Sequence, residues 1–281
     1  MKKALLLFAA IFVLASCSND NDDPCAEIKP VGGFLIDLAF PVSRDIELGL
    51  QVSNQISSSG DFNVLPRTGN EQAYAYLESI QQEILNSGKL TYKDDFAWEL
   101  NIIDEDVLNA FATPGGYIYV YTGLIKFLDN VDDLAGVMGH ELAHADRRHS
   151  TNQLIKKYQV SILSSILGGS GENGSLAQIV TDIAGQGVAL KFSRDDENDA
   201  DANSVEYLGN TDFACNGAAR FFEKLNEGGQ GGGTPEFLST HPSPDNRVSD
   251  INARAVCNSC NTANTTKTIE GLTYNQFKAL F

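Results

Sequence analysis

The decisive stretch of this sequence is Val137-Met138-Gly139-His140-Glu141-Leu142-Ala143-His144. From residue 134 to residue 145 the only polar side chains are His140, Glu141 and His144. A helix that is apolar on all sides is buried in the protein. Two histidines four residues apart lie on one helix face, about one turn apart, and can bind a single metal ion. The pattern therefore predicts a metal site inside a buried helix.

The alternative for these residues is a pair of hydrogen-bonded core histidines. Burying three ionisable groups without partners would cost several kcal/mol, so the groups need compensation, which a divalent cation supplies. A catalytic zinc site has three protein ligands and an open fourth position. Two further histidines are present, His149 and His241. We expect His149 to be structural, at the end of the metal-binding helix.

An acidic run, from Ser193 to Asp201, offers a third ligand. Glu197 and Asp201 are four residues apart on a predicted helix, and two like charges turned toward a core are unfavourable without a compensating cation. We expect Glu197 to bind the metal and Asp201 to orient a ligating histidine by a hydrogen bond. The alternative is an ordinary solvated acidic helix, which fits the other acids of the run, Asp195, Asp196 and Asp199.

Four motifs occur in order along the chain: Asn109-Ala110-Phe111-Ala112-Thr113-Pro114-Gly115-Gly116, His140-Glu141-Leu142-Ala143-His144, Ser193-Arg194-x-x-Glu197-x-x-Ala200-Asp201, and Ser239-Thr240-His241-Pro242-Ser243 with Arg247 after it. Together they resemble one family of zinc metallopeptidases, which includes the CAAX prenyl proteases, HtpX and the Oma-type enzymes. Exported BepA-like and LoiP-like lipoproteins are the nearest members in size and targeting. The resemblance covers about residues 70 to 255.

The resemblance implies a zincin-like α+β domain and one Zn²⁺ per chain, bound by His140, His144 and Glu197. It implies that Glu141 is the general base and that Asp201 holds a ligating histidine. It also places two further catalytic candidates, His241 and Arg247, near the metal. There the histidine would stabilise the oxyanion or occupy the open coordination position.

A strand rich in β-formers, Tyr117–Tyr121, precedes the metal-binding helix. Its residues Tyr117, Ile118, Tyr119 and Val120 are candidates to bind an extended substrate by strand addition. The alternative is an ordinary sheet strand.

The expected function is a zinc metalloendopeptidase that cleaves misfolded or unfolded envelope proteins. The competing function is a binding or chaperone-like lipoprotein with a latent or structural metal site.

The N-terminus predicts export. Lys2 and Lys3 precede an apolar run, Ala4–Leu14, that is too short to span a membrane. Leu14-Ala15-Ser16-Cys17 resembles the lipobox of bacterial lipoproteins. We therefore expect a signal peptide over 1–16, a lipidated Cys17 with an acidic tether over 17–30, and one metallopeptidase domain over 31–281. The alternative is an ordinary signal peptide with an incidental cysteine. The expected location is the bacterial envelope, at the outer membrane through the lipid.

Five cysteines are present, and with Cys17 taken by lipid four remain in an oxidising compartment. We expect two disulfides among Cys25, Cys215, Cys257 and Cys260, for which three pairings are possible. The spacing of Cys257 and Cys260 could also suggest a zinc knuckle or a redox pair, but no second such pair exists.

Composition excludes other functions. Among 281 residues, 20 basic and 37 acidic side chains give a net charge of −17. This balance argues against a nucleic-acid partner and against polybasic attachment to anionic lipid.

Periodicity predicts a small mixed sheet followed mainly by helices, hence an α+β fold. The predicted strands are Phe96–Ile103, Val107–Ala112 and Tyr117–Tyr121, and the predicted helices are Glu71–Leu85 and, roughly, 131–149, 151–167, 175–191, 195–208, 216–226 and 244–255.

Overall fold

The computed structural model describes residues 23, 25–28, 40–168, 178–179, 191–228, 236–241 and 246–281. The expected signal peptide, Cys17 and most of the tether lie outside these residues, as does most of the helix expected over 175–191. Within the described ranges, no helix combines the length and the apolar character that crossing a membrane requires.

A small sheet is followed by a mainly helical part, as the sequence predicts. The second strand is predicted from Val107 but begins at Ala110. Before it, Val107 and Asn109 donate their amides to the carbonyls of Glu105 and Val107 in tight turns, which an extended strand does not contain. The elements are α1 (Val42–Ser59), α2 (Glu71–Leu85), β1 (Glu99–Ile103), β2 (Ala110–Thr113), β3 (Tyr117–Tyr121), α3 (Thr122–Phe127), α4 (Val131–Asp146), α5 (His149–Leu167), α6 (Arg194–Leu208), α7 (Gly217–Gly228), α8 (Glu236–Thr240), α9 (Arg247–Cys257) and α10 (Tyr274–Lys278).

The strand order is β1-β3-β2, with β3 in the centre. It pairs in parallel with β1 and antiparallel with β2, so its backbone is hydrogen-bonded on both sides. The expectation that Tyr117, Ile118, Tyr119 and Val120 bind a substrate by strand addition is therefore wrong, because strand addition needs a free edge. The alternative, an ordinary sheet strand, is what the structure shows.

Helix α4 is buried along its whole length. Asn130, just before the helix, is its N-cap: its side chain accepts a hydrogen bond from the amide of Asp133 and so satisfies an otherwise unpaired donor. Its small residues let α6 and α7 approach closely. Ser204 of α6 donates to the carbonyl of Gly136 at 3.1 Å, and a Cβ added at Gly136 would lie only 2.0 Å from the amide nitrogen of Ala218. The helix that carries the histidines is thus enclosed by its neighbours.

A sharp corner separates α4 from α5. Arg148 adopts a left-handed conformation with φ of 57°, which for a residue with a side chain costs of order 1–3 kcal/mol. Its buried guanidinium binds Asp45 of α1 (Nε to Oδ2, 2.7 Å) and donates to the carbonyl oxygen of Phe40 at 2.6 Å. These contacts hold the corner and turn the next residue, His149, back toward α4.

Two disulfides tie the ends of the chain to the helices. Cys25 pairs with Cys257 at the end of α9, and Cys215, just before α7, pairs with Cys260. Cys257 and Cys260 are therefore not bonded to each other, which removes the redox-pair interpretation. The expected two disulfides are present, and the structure selects one of the three possible pairings.

Candidate metal centre

Four buried side chains converge between α4, α6 and α8: His140, His144, Glu197 and His241. The Nε2 atoms of His140 and His144 are 3.0 Å apart. They lie 3.4 and 3.5 Å from the two carboxylate oxygens of Glu197. The Nδ1 atom of His241 lies 3.0 Å from Oε1 of Glu197 and 3.4 Å from Nε2 of His140.

These separations fit a metal ion. Zinc binds imidazole nitrogen and carboxylate oxygen at about 2.0–2.2 Å, so the donors of a tetrahedral site lie about 3.3 Å apart. The donor atoms of the four side chains are spaced by similar distances, and imidazole and carboxylate are donor types that zinc takes. The group could hold a metal ion, and its composition is consistent with zinc.

Asp201 and Arg247 surround this donor set. Asp201 Oδ1 lies 2.8 Å from His140 Nδ1, where it can hold the ring with Nε2 directed at the donor cluster. Arg247 binds Asp201 through two bonds of 2.7 and 2.6 Å, and its Nη1 lies 2.9 Å from Glu197 Oε2. Its guanidinium also stacks over the ring of Phe222 at 3.9 Å. Arg247 thus neutralises both buried acids, which is a positioning role.

Burial and charge set the protonation of the donors. Burial opposes protonation of His140, but hydrogen bonds to Asp201 and Glu197 outweigh it and raise the pKa of His140 to about 9. Burial and the neighbouring His140 hold the pKa of His144 well below its ordinary value. Burial would raise the pKa of Glu197, but His241 and Arg247 hold it well below the usual range. Glu197 is therefore a carboxylate, and His144 is a neutral imidazole.

Glu141 lies beside the donor set. Both carboxylate oxygens are buried, and none of the described residues donates to either of them. Its Oε1 is 3.6 Å from Nε2 of His241. Burial raises the pKa of Glu141 above its ordinary value, which makes the carboxylate a better proton acceptor. A buried acid without a donor suits a group that receives a proton during a reaction.

His149 and Asp199 were missed as site residues by sequence reasoning. Nδ1 of His149 lies 3.0 Å from Nδ1 of His144, and its Nε2 lies 3.1 Å from Oδ2 of Asp199. Asp199 is in turn bound by Arg147. The expectation that Asp199 belongs to an ordinary solvated face is therefore wrong. No local pattern indicated this contact, because it depends on the corner at Arg148.

Comparison with known proteins identifies the family. A family model described as peptidase family M48 matches residues 71–255. The chain belongs to peptidase family M48. The matched range agrees with the extent of about 70 to 255 expected from the sequence motifs, and it contains all four donors of the metal centre.

Named relatives of this M48 chain are metallopeptidases or proteases. It is 33% identical over 159 residues to mitochondrial metalloendopeptidase OMA1 of Schizosaccharomyces pombe, covering 56% of this chain and 46% of that protein. It is 26% identical over 240 residues to the beta-barrel assembly-enhancing protease of Escherichia coli K12, covering 82% of this chain and 47% of that protein. The corresponding protease of Yersinia pestis is 31% identical over 169 residues, covering 55% and 34%. The chain spans about half of these relatives or less.

The M48 domain brings the sequence-predicted site residues together, with two exceptions. Cys17 lies outside the described residues. The Tyr117–Val120 segment is the central strand of the sheet. The residues that do meet at one point are His140, Glu141, His144, Glu197, Asp201, His241 and Arg247.

Proposed function

We propose that the protein is a zinc-dependent metalloendopeptidase with one zinc ion per chain. The observation that carries the proposal is the buried carboxylate of Glu141, which accepts no hydrogen bond from the described residues and lies beside a cluster of metal donors. A purely structural metal site has no use for such a base. Membership of peptidase family M48 and the names of the relatives support the same activity.

We assign the residues of the site to metal binding, positioning and proton transfer. His140, His144 and Glu197 would hold the ion, while Asp201 and Arg247 would fix His140 and Glu197. When bound, zinc supplies Lewis-acid chemistry that acidifies water and polarises a peptide carbonyl. Glu141 takes the proton from the attacking water on a carboxylate oxygen and then gives it to the leaving amine.

His241 closes the site in this conformation. A catalytic zinc site keeps a fourth position open for water or substrate. The Nδ1 atom of His241 lies within 3.4 Å of donor atoms of Glu197 and His140, so His241 would serve as a fourth protein donor to a bound ion. We infer that His241 blocks the resting site, rather than stabilising the oxyanion, and must move away before a substrate can bind.

Replacing His241 with Ala should raise hydrolysis of a short unstructured peptide without loss of zinc, because three protein ligands remain. If about a tenth of wild-type molecules are open, the rise would be about tenfold. Peptide turnover and bound zinc are measured on the same samples. The double variant with Glu141→Gln is the control and should be inactive. Unchanged or lower turnover at full zinc content would contradict the blocking role.

Helix α8, which ends just before His241, also covers a strand edge. Tyr121 of β3 donates its amide to the carbonyl of Asn109, just before β2, at 3.2 Å, so in this antiparallel pair the backbone groups of alternate residues face away from β3. On that outer side Phe237 of α8 donates to the carbonyl of Leu108 at 3.1 Å. Displacing α8 would therefore free the metal position and the carbonyl of Leu108, just before the outer edge of β2, together. Further along that edge, Ser150 donates to the carbonyl of Ala112 at 3.0 Å. We propose this edge, rather than β3, as the place where an extended substrate pairs.

Recognition by strand pairing requires an extended substrate and reads its backbone more than its side chains. We therefore propose that unfolded or misfolded polypeptides are the substrates. The test compares one stable globular protein in its native form with the same protein reduced and alkylated so that it cannot fold. We expect cleavage of the unfolded form at a rate at least about tenfold higher. Equal cleavage of both forms would contradict this substrate class.

The proposed setting is the bacterial envelope, with the mature chain anchored at the outer membrane through acylated Cys17. Support comes from the lipobox-like sequence before Cys17 and from the two disulfides, which suit an exported protein. Mass spectrometry of the N-terminal peptide tests the anchor. An acylated peptide beginning at Cys17 is expected, and an unmodified one would exclude the anchor.

A binding or chaperone-like lipoprotein with a structural metal site remains the second candidate, since four protein donors are what such a site contains. The two candidates differ in turnover. Measurable hydrolysis that depends on Glu141 favours the peptidase. An inert protein that keeps its zinc and still binds unfolded chains favours the second candidate.

A further inference from the structure

We propose that His149, Asp199 and Arg147 form a support, here called the His149 support, that fixes the tautomer of His144 so that its Nε2 is free to bind the metal. The proposal rests on the proposed function only in naming the metal as the ligand of His144. These are positioning residues, because they act through His144 and contact neither the metal nor the substrate.

The donor and acceptor roles follow from the contacts. Asp199 is held by Arg147, whose Nε and Nη2 donate to its two oxygens at 2.6 and 3.0 Å. A carboxylate can only accept, so the His149 Nε2 at 3.1 Å from Asp199 carries a hydrogen. In a neutral imidazole the other nitrogen then accepts.

The contact between His149 and His144 then determines which ring nitrogen of His144 carries the hydrogen. Nδ1 of His149 and Nδ1 of His144 are 3.0 Å apart, and one of the two must donate to the other. Because His149 accepts there, His144 carries its hydrogen on Nδ1. The lone pair of His144 is then on Nε2, the atom 3.0 Å from Nε2 of His140 in the donor cluster.

His140, the other histidine of the three proposed permanent ligands, is held in a different way. His140 Nδ1 meets the carboxylate of Asp201 directly at 2.8 Å. Among the described residues, no carboxylate lies at Nδ1 of His144. The imidazole of His149 lies there instead, and it in turn contacts the carboxylate of Asp199. Both arrangements end in an acid that can only accept, so both place a hydrogen on Nδ1 of the ligand.

The backbone conformation at Arg148 places His149 beside His144. His149 lies five positions after His144, a spacing that on a continuous helix would not place the two rings side by side. The left-handed Arg148 breaks the helix between them, and its contacts with Asp45 and Phe40 hold the break. Phe192 packs against the other side of the arrangement, with its ring stacked on that of His144 at 4.0 Å.

Two substitutions at His149 separate the hydrogen bond from the packing. His149→Phe keeps a ring but removes the acceptor, and His149→Asn places an amide oxygen near the position of Nδ1. Loss of a group that orients a metal ligand lowers metal affinity by about 10- to 100-fold. We expect that loss in His149→Phe and recovery of most of the affinity in His149→Asn.

Zinc affinity is measured by competition with a chromophoric chelator on the full mature chain, with cobalt absorption spectra as a check on ligand geometry. Asp199→Asn should also weaken binding, while Asp212→Asn, which removes an acid from a surface pair with Lys267, should not. Equal affinities for wild type and His149→Phe, or equal losses in His149→Phe and His149→Asn, would overturn the proposal.

A second measurement needs no variant. In the zinc-free wild-type protein, ¹⁵N NMR of the imidazoles should show the hydrogen of His144 on Nδ1 and that of His149 on Nε2. A hydrogen on Nε2 of His144 would overturn the proposal even if His149→Phe does not fold. Neither experiment measures hydrolysis. A protein that binds zinc through this support and cleaves nothing would therefore refute the proposed peptidase activity and not the His149 support.

Discussion

Replacing Glu141 with Gln is expected to abolish peptide hydrolysis while leaving zinc in place. Gln keeps the shape of the side chain but cannot take up the proton that the reaction releases. General acid–base catalysis contributes about 10²- to 10⁴-fold, so turnover should fall by at least about a hundredfold. Neither carboxylate oxygen accepts a hydrogen bond from the described residues, so the substitution breaks none there and the fold should be unaffected.

Turnover of an unfolded substrate and bound zinc are to be measured on the same preparation. Glu78→Gln is a matched control, because it makes the same chemical change at an exposed residue that pairs with Arg67. The control should behave as wild type. Wild-type turnover in Glu141→Gln would refute the assignment of the base. If the assignment is correct, peptides that accumulate uncut in a strain carrying Glu141→Gln would identify the natural substrates.

The metal donors could be predicted from the sequence because their chemistry is local. His140 and His144 are one helical turn apart in an apolar helix, and Glu197 and Asp201 repeat the same spacing on a second helix. Such spacing fixes which side chains share a face before any tertiary structure is known. The contact between the two helices was not deduced from the residues alone, and the family resemblance supplied it.

The support around His144 could not be predicted in this way. His149 follows the metal-binding helix, and only the left-handed backbone at Arg148 returns it to His144. That conformation depends on a buried ion pair with Asp45, more than 100 residues earlier in the chain. Long-range contacts of this kind leave no periodic signal in the sequence. Asp199 therefore looked like one more acid on a solvated face.

Two features of the fold were missed for related reasons. Helix α1 was not predicted, because polar residues and the Ser57–Gly60 breaker cluster obscure its apolar spacing of Leu48, Val52 and Ile56. Gly60 instead ends the helix in a left-handed cap. The central position of β3 was missed because a strand's composition indicates that it is a strand but not which neighbours it pairs with.

Removal of the metal is expected to eliminate hydrolysis altogether. Without the ion no Lewis acid acts on the carbonyl, and Glu141 alone would have to activate ordinary water. Magnesium should not restore activity, because it prefers six oxygen ligands, whereas this site offers three imidazoles and one carboxylate. His144→Ala, which lacks one of the three proposed permanent ligands, should not recover at stoichiometric zinc.

The most direct test of the account is a zinc titration of the metal-free wild-type chain, followed by hydrolysis of an unfolded protein. We predict no hydrolysis before zinc is added, a rise in proportion to added zinc, and a plateau at one equivalent per chain. Hydrolysis at the full rate by the metal-free chain would contradict the account. So would a fully zinc-loaded chain, with His241 replaced by Ala to open the site, that cleaves no peptide.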